Sequence, residues 1–456
     1  MRPLAFAAIS PIMQALVILI LCSASVSEAI ALAWKPASLV KFLPEALSIV
    51  AAGAVFFEGV RKGFPNMAAK YWIALGSMVF IIVCGILTNS VGAGPIFAGL
   101  RSYVRAMPLF LLPAVFTFTD QQIKTQLKLM LGIGLLQVPI ASYQRYVIWA
   151  AGRYSGDDVR GTAADSGILS IILICMALVL LGCFMRKQIT ATRFFILFFL
   201  LLFPTMINET KATVILLPIG LLTTIVAGSP AGQRLKVFTL GLVLLGVFGA
   251  ILVPVYDMMA ANNPYKNEQH LMDFFTNERE MDRYMESKGG AAGLGTKHGV
   301  RRGDAIRVPV EYLAKDPVKL AFGLGIGNAS HSNLGQQFQG TYYDLFAFFA
   351  VLSFSTFLLE LGLFGTGLVF ILYALQFFDA VAVAKQDTGL TGALAIGWIG
   401  IVPVIAAATF YTAIHMFAML SFLFWYFGGI VAARRTQLAA VVSTAVASAA
   451  VRRRTA

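Results

Sequence analysis

Long apolar runs separated by short polar interruptions organise this chain. Runs such as "SIILICMALVLLG" are apolar throughout and show no alternation, so they read as buried or lipid-facing helices rather than half-buried strands. A hydrocarbon core about 30 Å thick is crossed by roughly 20 apolar residues in a helix. On that criterion the candidate spans are 10–32, 39–58, 71–89, 103–118, 129–150, 164–184, 194–208, 212–228, 237–256, 346–378, 391–409 and 412–433, about twelve in all. The run 346–378 suits either one tilted helix or an interfacial segment followed by a shorter span. Membrane strands would alternate apolar and polar over about ten residues. Helices also satisfy their own backbone groups in lipid. The expected fold class is therefore all-α: a polytopic membrane helix bundle of about twelve helices with one large outer loop containing short helices. Four regions follow from the pattern: an amino-terminal bundle at 1–256, a hydrophilic loop at 257–345, carboxy-terminal spans at 346–433 and a basic tail at 434–456.

Composition agrees. Of 456 residues, 58% are hydrophobic and only 12% charged, against roughly 25% charged in soluble domains. At the amino terminus, Arg2, the apolar stretch Ile12 to Cys22 and the small-residue "SASVSEA" mimic a secretory signal and its cleavage site. Cleavage there would leave the later topology unchanged. Cys22, Cys84, Cys175 and Cys183 all fall in candidate spans and imply no disulfide framework.

The net charge of +13 matters through its distribution. Threading the spans with the amino end inside puts Arg61, Lys62, Lys70, Lys124, Lys128, Arg186, Lys187, Arg434 and Arg435 on the cytoplasmic side, as the positive-inside rule requires. The tail "VRRRTA" then faces anionic headgroups of the bilayer rather than nucleic acid. The same threading puts 257–345 outside, in the periplasm of a bacterial inner-membrane protein, with both termini cytoplasmic. Within it, "HLMDFFTNEREMDRYMES" places Leu271, Phe274, Phe275, Met281 and Met285 on one helical face. Such a helix either packs down on the bundle or lies as a lid at the membrane surface. "GGAAGLG" reads as a hinge, and "DAIRVPVEYLAKDPV" as a second helix softened by Pro309.

Several basic residues stand at outer span ends. Arg101 and Arg153 are read as interfacial snorkelling residues. Arg105, Arg160, Lys211 and Arg302 together suggest a shared anion site, with Arg307 nearby, because a planar guanidinium grips phosphate bidentately. Lys211 beside Glu209 also reads as an ion pair. The stretch "AFGLGIGNASHSN" raises the possibility of a phosphate cradle, yet Gly323, Gly325 and Gly327 fit neither G-x-G-x-x-G nor G-x-x-x-x-G-K-[ST]. A turn leading into an apolar segment is the alternative. His270, His298, His331 and His415 show no metal-ligand spacing, Asp157 and Asp158 read equally as a solvated turn, and no G-x-S-x-G nucleophile is present. No metal and no cofactor are expected.

These residues together resemble a family. "RRGDAIRVPVEYLAKDPVKLAFGLGIGN" followed by "LLELGLFGTGLVFIL" is similar to the O-antigen ligase and Wzy-type polymerase superfamily, through Arg302, Asp316, Pro317, Gly323, Gly325, Gly327, Glu360, Gly362 and Gly365. "VRGTAADSGILSIIL", at Arg160 and Gly161, resembles that family's arginine-glycine turn, and "NETKATVILLPIGLL" its helix start, with Lys211 where arginine is usual. One departure is "AVLSFST", which stands where the family often carries a histidine, about ten residues before Glu-x-Gly; His331 lies upstream. That departure points to polymerase rather than ligase.

The resemblance implies a glycosyltransferase that joins undecaprenyl-diphosphate-linked oligosaccharides at the outer leaflet. A lipid diphosphate leaves readily once its developing charge is stabilised, which fixed cations can do in a dry site. On this reading Arg160, Lys211 and Arg302, with Arg105 and Arg307 as lesser candidates, hold the diphosphate. His331, Asp304 and Glu360, in that order, are candidates for the base, and Gly323 to Asn328 line the glycan with backbone. A chain-length regulator and a flippase of the same pathway are the implied protein partners. The rivals are a ligase handing finished glycan to a lipid or protein acceptor, and a flippase or transporter without chemistry. The gathering of polar residues at outer span ends, and the absence of matching broken spans in two halves, favour the enzyme.

Overall fold

The computed structural model describes residues 11–148, 158–229, 231–261, 271–277, 285, 301–332, 334–346 and 349–455. These form helices joined by turns, and no strand occurs among them. In chain order the α-helices are α1 (Pro11–Ala33), α2 (Leu43–Lys62), α3 (Ala69–Asn89), α4 (Ala93–Val104), α5 (Met107–Val115), α6 (Asp120–Tyr143), α7 (Ser166–Met185), α8 (Ala191–Ile207), α9 (Ala212–Gly228) and α10 (Arg234–Ala261). The hydrophilic region contributes α11 (Leu271–Thr276), α12 (Arg302–Leu313), α13 (Pro317–Phe322) and α14 (Tyr343–Phe346). The chain continues with α15 (Ser353–Gln386), α16 (Leu390–Ala408) and α17 (Ala418–Thr455).

Among the described residues seven helices, α1, α2, α3, α7, α10, α15 and α16, are long and apolar enough to cross a membrane. The apolar α8 and α9 have 17 residues each. The protein is thus a helical membrane-embedded bundle, and four of the expected spans take a different form. Segment 103–118 is not one helix: the chain breaks between α4 and α5, of 12 and 9 residues. The span expected at 129–150 begins at Asp120 and carries a polar first half, with a capping box between Thr119 and Gln122. Residues 346–378 become α15, broken inside at Gly362. The last span starts at Ala418 and continues as one helix through Thr455, so the basic tail extends it rather than forming a separate region.

The bundle is layered by polarity. In α16, 78% of the apolar window is buried against protein, against 22% in α10, so α16 is the core helix and α10 lies at the rim. Along α2 and α3, Ile49, Phe56, Phe57, Ile73, Phe80 and Leu87 remain exposed as a lipid-facing surface. Small residues let the core helices approach closely: a Cβ on Gly397 of α16 would stand 2.7 Å from the Val179 Cα of α7. In the hydrophilic region, Leu271 is 1% exposed and joins the main core. Its backbone N–H donates to the Asp257 carboxylate at 2.8 Å, so this turn packs onto the bundle. Phe274 falls in the same turn; Met281, the "GGAAGLG" hinge, Asp157 and Arg153 lie outside the described residues.

One short stretch holds an end of the bundle together. Asp316 caps α13 by accepting from the Val318 and Lys319 N–H groups at 3.0 and 3.3 Å, and Pro317 occupies the first helical position. The chain then passes through Gly323, Gly325 and Gly327, with φ of 74°, 90° and 71°, all in the left-handed region. Each glycine is pressed against foreign backbone. A Cβ on Gly323 would meet the Glu360 carbonyl carbon at 2.5 Å, one on Gly325 the Gly85 oxygen at 2.9 Å, and one on Gly327 the Pro95 carbonyl. Gly362, with φ 67°, faces this turn from the break in α15.

The glycine turn is thus a clasp joining α3, α4 and α15. Gly327→Ala is expected to lower the melting temperature of the purified protein markedly, by the equivalent of about 1–3 kcal/mol or more. Gly53→Ala, in α2 with open space around its Cβ, should be neutral or mildly stabilising. Equal melting temperatures for the two variants would show that the clasp does not hold the fold.

Candidate functional site

The α4–α5 break turns the chain at Arg105, and a polar network forms around it. Glu45 of α2 accepts two bonds from Arg101, at 2.6 and 2.9 Å, and one from Arg105 at 2.7 Å. The Arg105 guanidinium also donates to the His415 carbonyl at 3.1 Å, and the Ser48 hydroxyl to the Arg105 carbonyl at 2.6 Å. Arg101 therefore does not snorkel as expected; it is pulled inward by a carboxylate 56 positions away and lies over the Phe42 ring. A small polar cavity of about 40 Å3 opens beside this pair, lined among others by Lys41, Glu45, Arg105, Ser330 and His331. That volume admits water rather than a sugar.

The connector between α16 and α17, residues 409–417, ties the surrounding pieces together. Its Thr412 carbonyl accepts from the Ser353 N–H at 3.1 Å, and the Ser353 hydroxyl is bonded to His415 Nδ1 at 2.8 Å. His415 Nε2 is buried with no hydrogen-bond partner, and the ring packs at a tilt against Tyr103 and Phe357. Burial, with the Arg105 charge adding to it, pushes the His415 imidazole down to about 3. Tyr411 of the same connector receives Arg302: the guanidinium lies 4.6 Å from its ring centre and Nε donates to its carbonyl at 3.2 Å. A Cβ on Gly167, in the first turn of α7, would meet the edge of that ring at Tyr411 Cε1, 2.8 Å away.

Glu360 has a position of its own. It is 1% exposed, and its Oε1 accepts from the Ala329 and Ser330 N–H groups at 3.3 and 2.9 Å. The carboxylate fastens the end of the glycine turn to α15, close to Tyr103. Asn328 braces the same turn, donating to the Leu324 carbonyl at 2.8 Å and accepting from the Thr341 N–H at 2.8 Å.

The remaining candidates spread over the same end of the bundle. His331 is exposed and lines the polar cavity, with its ring against Tyr343. Asp304, buried in α12, accepts from Arg307 at 3.1 Å, and Arg307 also stands 3.9 Å from Glu311. Arg160 and Gly161 form a turn whose N–H groups both donate to Gln144 Oε1, at 3.1 and 2.8 Å. Arg160 also reaches the Ala164 carbonyl at 3.5 Å. Lys211 caps α9. Its neighbour Glu209 is ion-paired with Arg145 at 3.0 Å and sits at φ 57°, a strained conformation for a non-glycine residue.

The structure thus brings Arg105 and His331 to one cavity and sets Arg302 on the adjoining connector, while Asp304 and Arg307 pair with each other along α12. Sequence reading missed Glu45, Ser353, Tyr411 and His415 as members of this network. The available signal was a run of polar and aromatic residues, "TFYTAIHMF", between the last two spans. No known family model matches the chain, and no curated protein matches it in sequence. Among the described residues, no group of three or more His, Cys, Asp and Glu is arranged to hold a metal ion.

Two outcomes follow. Glu45→Ala strands the buried Arg105 charge and should destabilise by about 3 kcal/mol or more. Glu58→Ala removes only a surface pair with Arg61 and Lys62 and should leave melting unchanged. Because His415 stays neutral in the fold but takes up a proton when unfolded, stability is lost as pH falls below about 6.5 and continues to fall toward about 3. The fall in melting temperature between pH 7 and pH 5 should therefore be smaller in His415→Gln than in the wild type. An equal fall in both would show that His415 is not buried neutral.

Proposed function

We propose that this protein is a polysaccharide polymerase: an integral membrane glycosyltransferase that joins lipid-diphosphate-linked oligosaccharide repeat units without a metal. The observation that carries the reading is the meeting, at one end of the bundle, of segments far apart in the chain that bear the family-like motifs. The turn at Gly323 to Asn328 is fastened to Glu360, and His331 and Arg105 border one polar cavity beside it. In this reading the end of the bundle carrying that cavity faces the periplasm, both termini lie in the cytoplasm, and the membrane is the bacterial inner membrane. The substrate is an undecaprenyl-diphosphate-linked oligosaccharide, and the protein works beside the flippase and chain-length regulator of its pathway.

Roles follow from position. Arg302, stacked on Tyr411, serves the diphosphate together with Arg160 and Lys211; a cation held by an aromatic face and a carbonyl keeps its orientation as charge develops. Arg105 is already engaged by Glu45, so it contributes a fixed field. His331 is the exposed group at the cavity and is assigned as the base for the acceptor hydroxyl. Glu360, held by two backbone N–H groups, positions the glycine turn instead of exchanging protons with substrate. The ligase alternative gains one specific support: His415 supplies an imidazole close to the place where the motif lacks one.

The test uses purified protein in nanodiscs with a lipid-diphosphate-linked repeat unit, EDTA and no nucleotide sugar, read as a glycan ladder. Wild type should give a ladder, and Arg302→Ala should slow it by about a hundredfold or more. His331→Ala should fold normally and lose the ladder, whereas Glu360→Gln should first lose folded yield. A folded wild type that gives no ladder with its proper substrate would overturn the polymerase reading and turn attention to ligase acceptors.

A further inference from the structure

A second, larger cavity lies within the bundle and opens toward the end opposite this network, at Asp120, Gln188 and Gly389. It has a volume of about 570 Å3 and runs between α6, α7, α16 and α17. Its walls are apolar, with Ile172, Val179, Trp398, Ile401 and Phe424 among them. Its polar members are gathered at one mouth, where Lys124 and Lys128 stand one turn apart on α6. Both lysines are exposed, and neither has an ion-pair partner among the described residues. Asp120 is the one carboxylate in the lining, so the mouth is net cationic. Two other cations at this end are paired: Lys70 with Asp379 and Arg434 with Asp387.

The slot also has the dimensions of a lipid chain. Leu390 and Ile405 both line it and lie about 22 Å apart along α16 at 1.5 Å per residue. One leaflet of hydrocarbon is about 15 Å deep. The slot is about 7 Å longer than one leaflet, so its lysine-bearing mouth reaches headgroup level when the rest lies in the hydrocarbon. We infer that this slot is a binding site for an anionic phospholipid, its phosphate held by Lys124 and Lys128 and an acyl chain laid along Val179, Trp398 and Ile401. A zwitterionic lipid offers the same chain without net charge for the lysines.

Trp398 gives a direct readout. The full-length protein is placed in phosphatidylcholine nanodiscs containing a minor fraction of bromine-labelled lipid, and the Trp398 signal is taken as wild type minus Trp398→Phe. Brominated phosphatidylglycerol should quench that signal with roughly tenfold greater apparent affinity than brominated phosphatidylcholine. In Lys124→Gln/Lys128→Gln the preference should vanish while chain-dependent quenching persists. Val179→Phe, compared with its own Trp398→Phe counterpart, should reduce quenching by both lipids because it fills the slot. Equal quenching by the two lipids in wild type, or a preference that survives loss of both lysines, would overturn the assignment. So would absence of quenching in a protein that melts like the wild type.

Discussion

Close backbone contact at the glycine clasp is the constraint on which the rest of this end of the bundle depends. Non-helical backbone at or near membrane depth is tolerated only where protein buries it and satisfies its polar groups. Three interruptions meet that condition together: the turn at Gly323 to Gly327, the break in α15 at Gly362 and the end of α3 near Gly85. The Leu324 N–H donates to the Leu359 carbonyl at 2.6 Å, and Asn89 reaches the Gly323 carbonyl at 3.0 Å. Each break supplies the other with the partner that a continuous helix would have provided. Glu360 completes the exchange by accepting the N–H groups of Ala329 and Ser330. A side chain at any of the three turn glycines would separate surfaces that have to touch.

This arrangement also determines where the polar groups can stand. With the turn fixed against α4, the Arg105 bend is held between α2 and the 409–417 connector, and Glu45 lies within reach of two arginines. Buried charges persist in such an environment only when paired and hydrogen bonded. The Glu45 carboxylate pairs with both Arg101 and Arg105, and the His415 carbonyl accepts a further bond from Arg105. The neutral His415 ring packs beside them, between Tyr103 and Phe357, where a second positive charge would be repelled by Arg105.

Much of the helix inventory was legible in the sequence because apolar content over twenty residues is a local property. The all-helical class and long spans such as 164–184 and 391–409 follow from it directly. The breaks were less legible, because they arise from contacts between distant backbones. Within 103–118 Pro108, in the first turn of α5, is the local mark of a break; the inward turn of Arg105 depends on Glu45, 60 positions away. The motif glycines were visible as a pattern, but their work as a clasp needed Gly85 and Pro95 opposite them. Pairings such as Ser353 with His415, 62 positions apart, leave no periodic trace. Glu360 was legible as a notable carboxylate, while its two N–H partners come from the turn that it holds.

The pairing sets the terms on which this end of the bundle can bind an anion. Arg105 donates to a carboxylate at 2.7 Å and to a carbonyl at 3.1 Å, so an incoming phosphate has to displace groups already in place. If this end is the site of the proposed reaction, such a residue acts best as a fixed charge beneath it, its orientation already set. The cavity of about 40 Å3 points the same way, since its volume admits only water-sized contents. On the function proposed above, a large lipid-linked substrate would be met by the rim: by His331, which is exposed, and by Arg302, held on Tyr411 and outside the Glu45 pair. Floor and rim then have separate duties. The floor keeps an oriented field in a hydrogen-bonded network, and on that proposal the rim provides the groups that can touch a substrate without dismantling the fold.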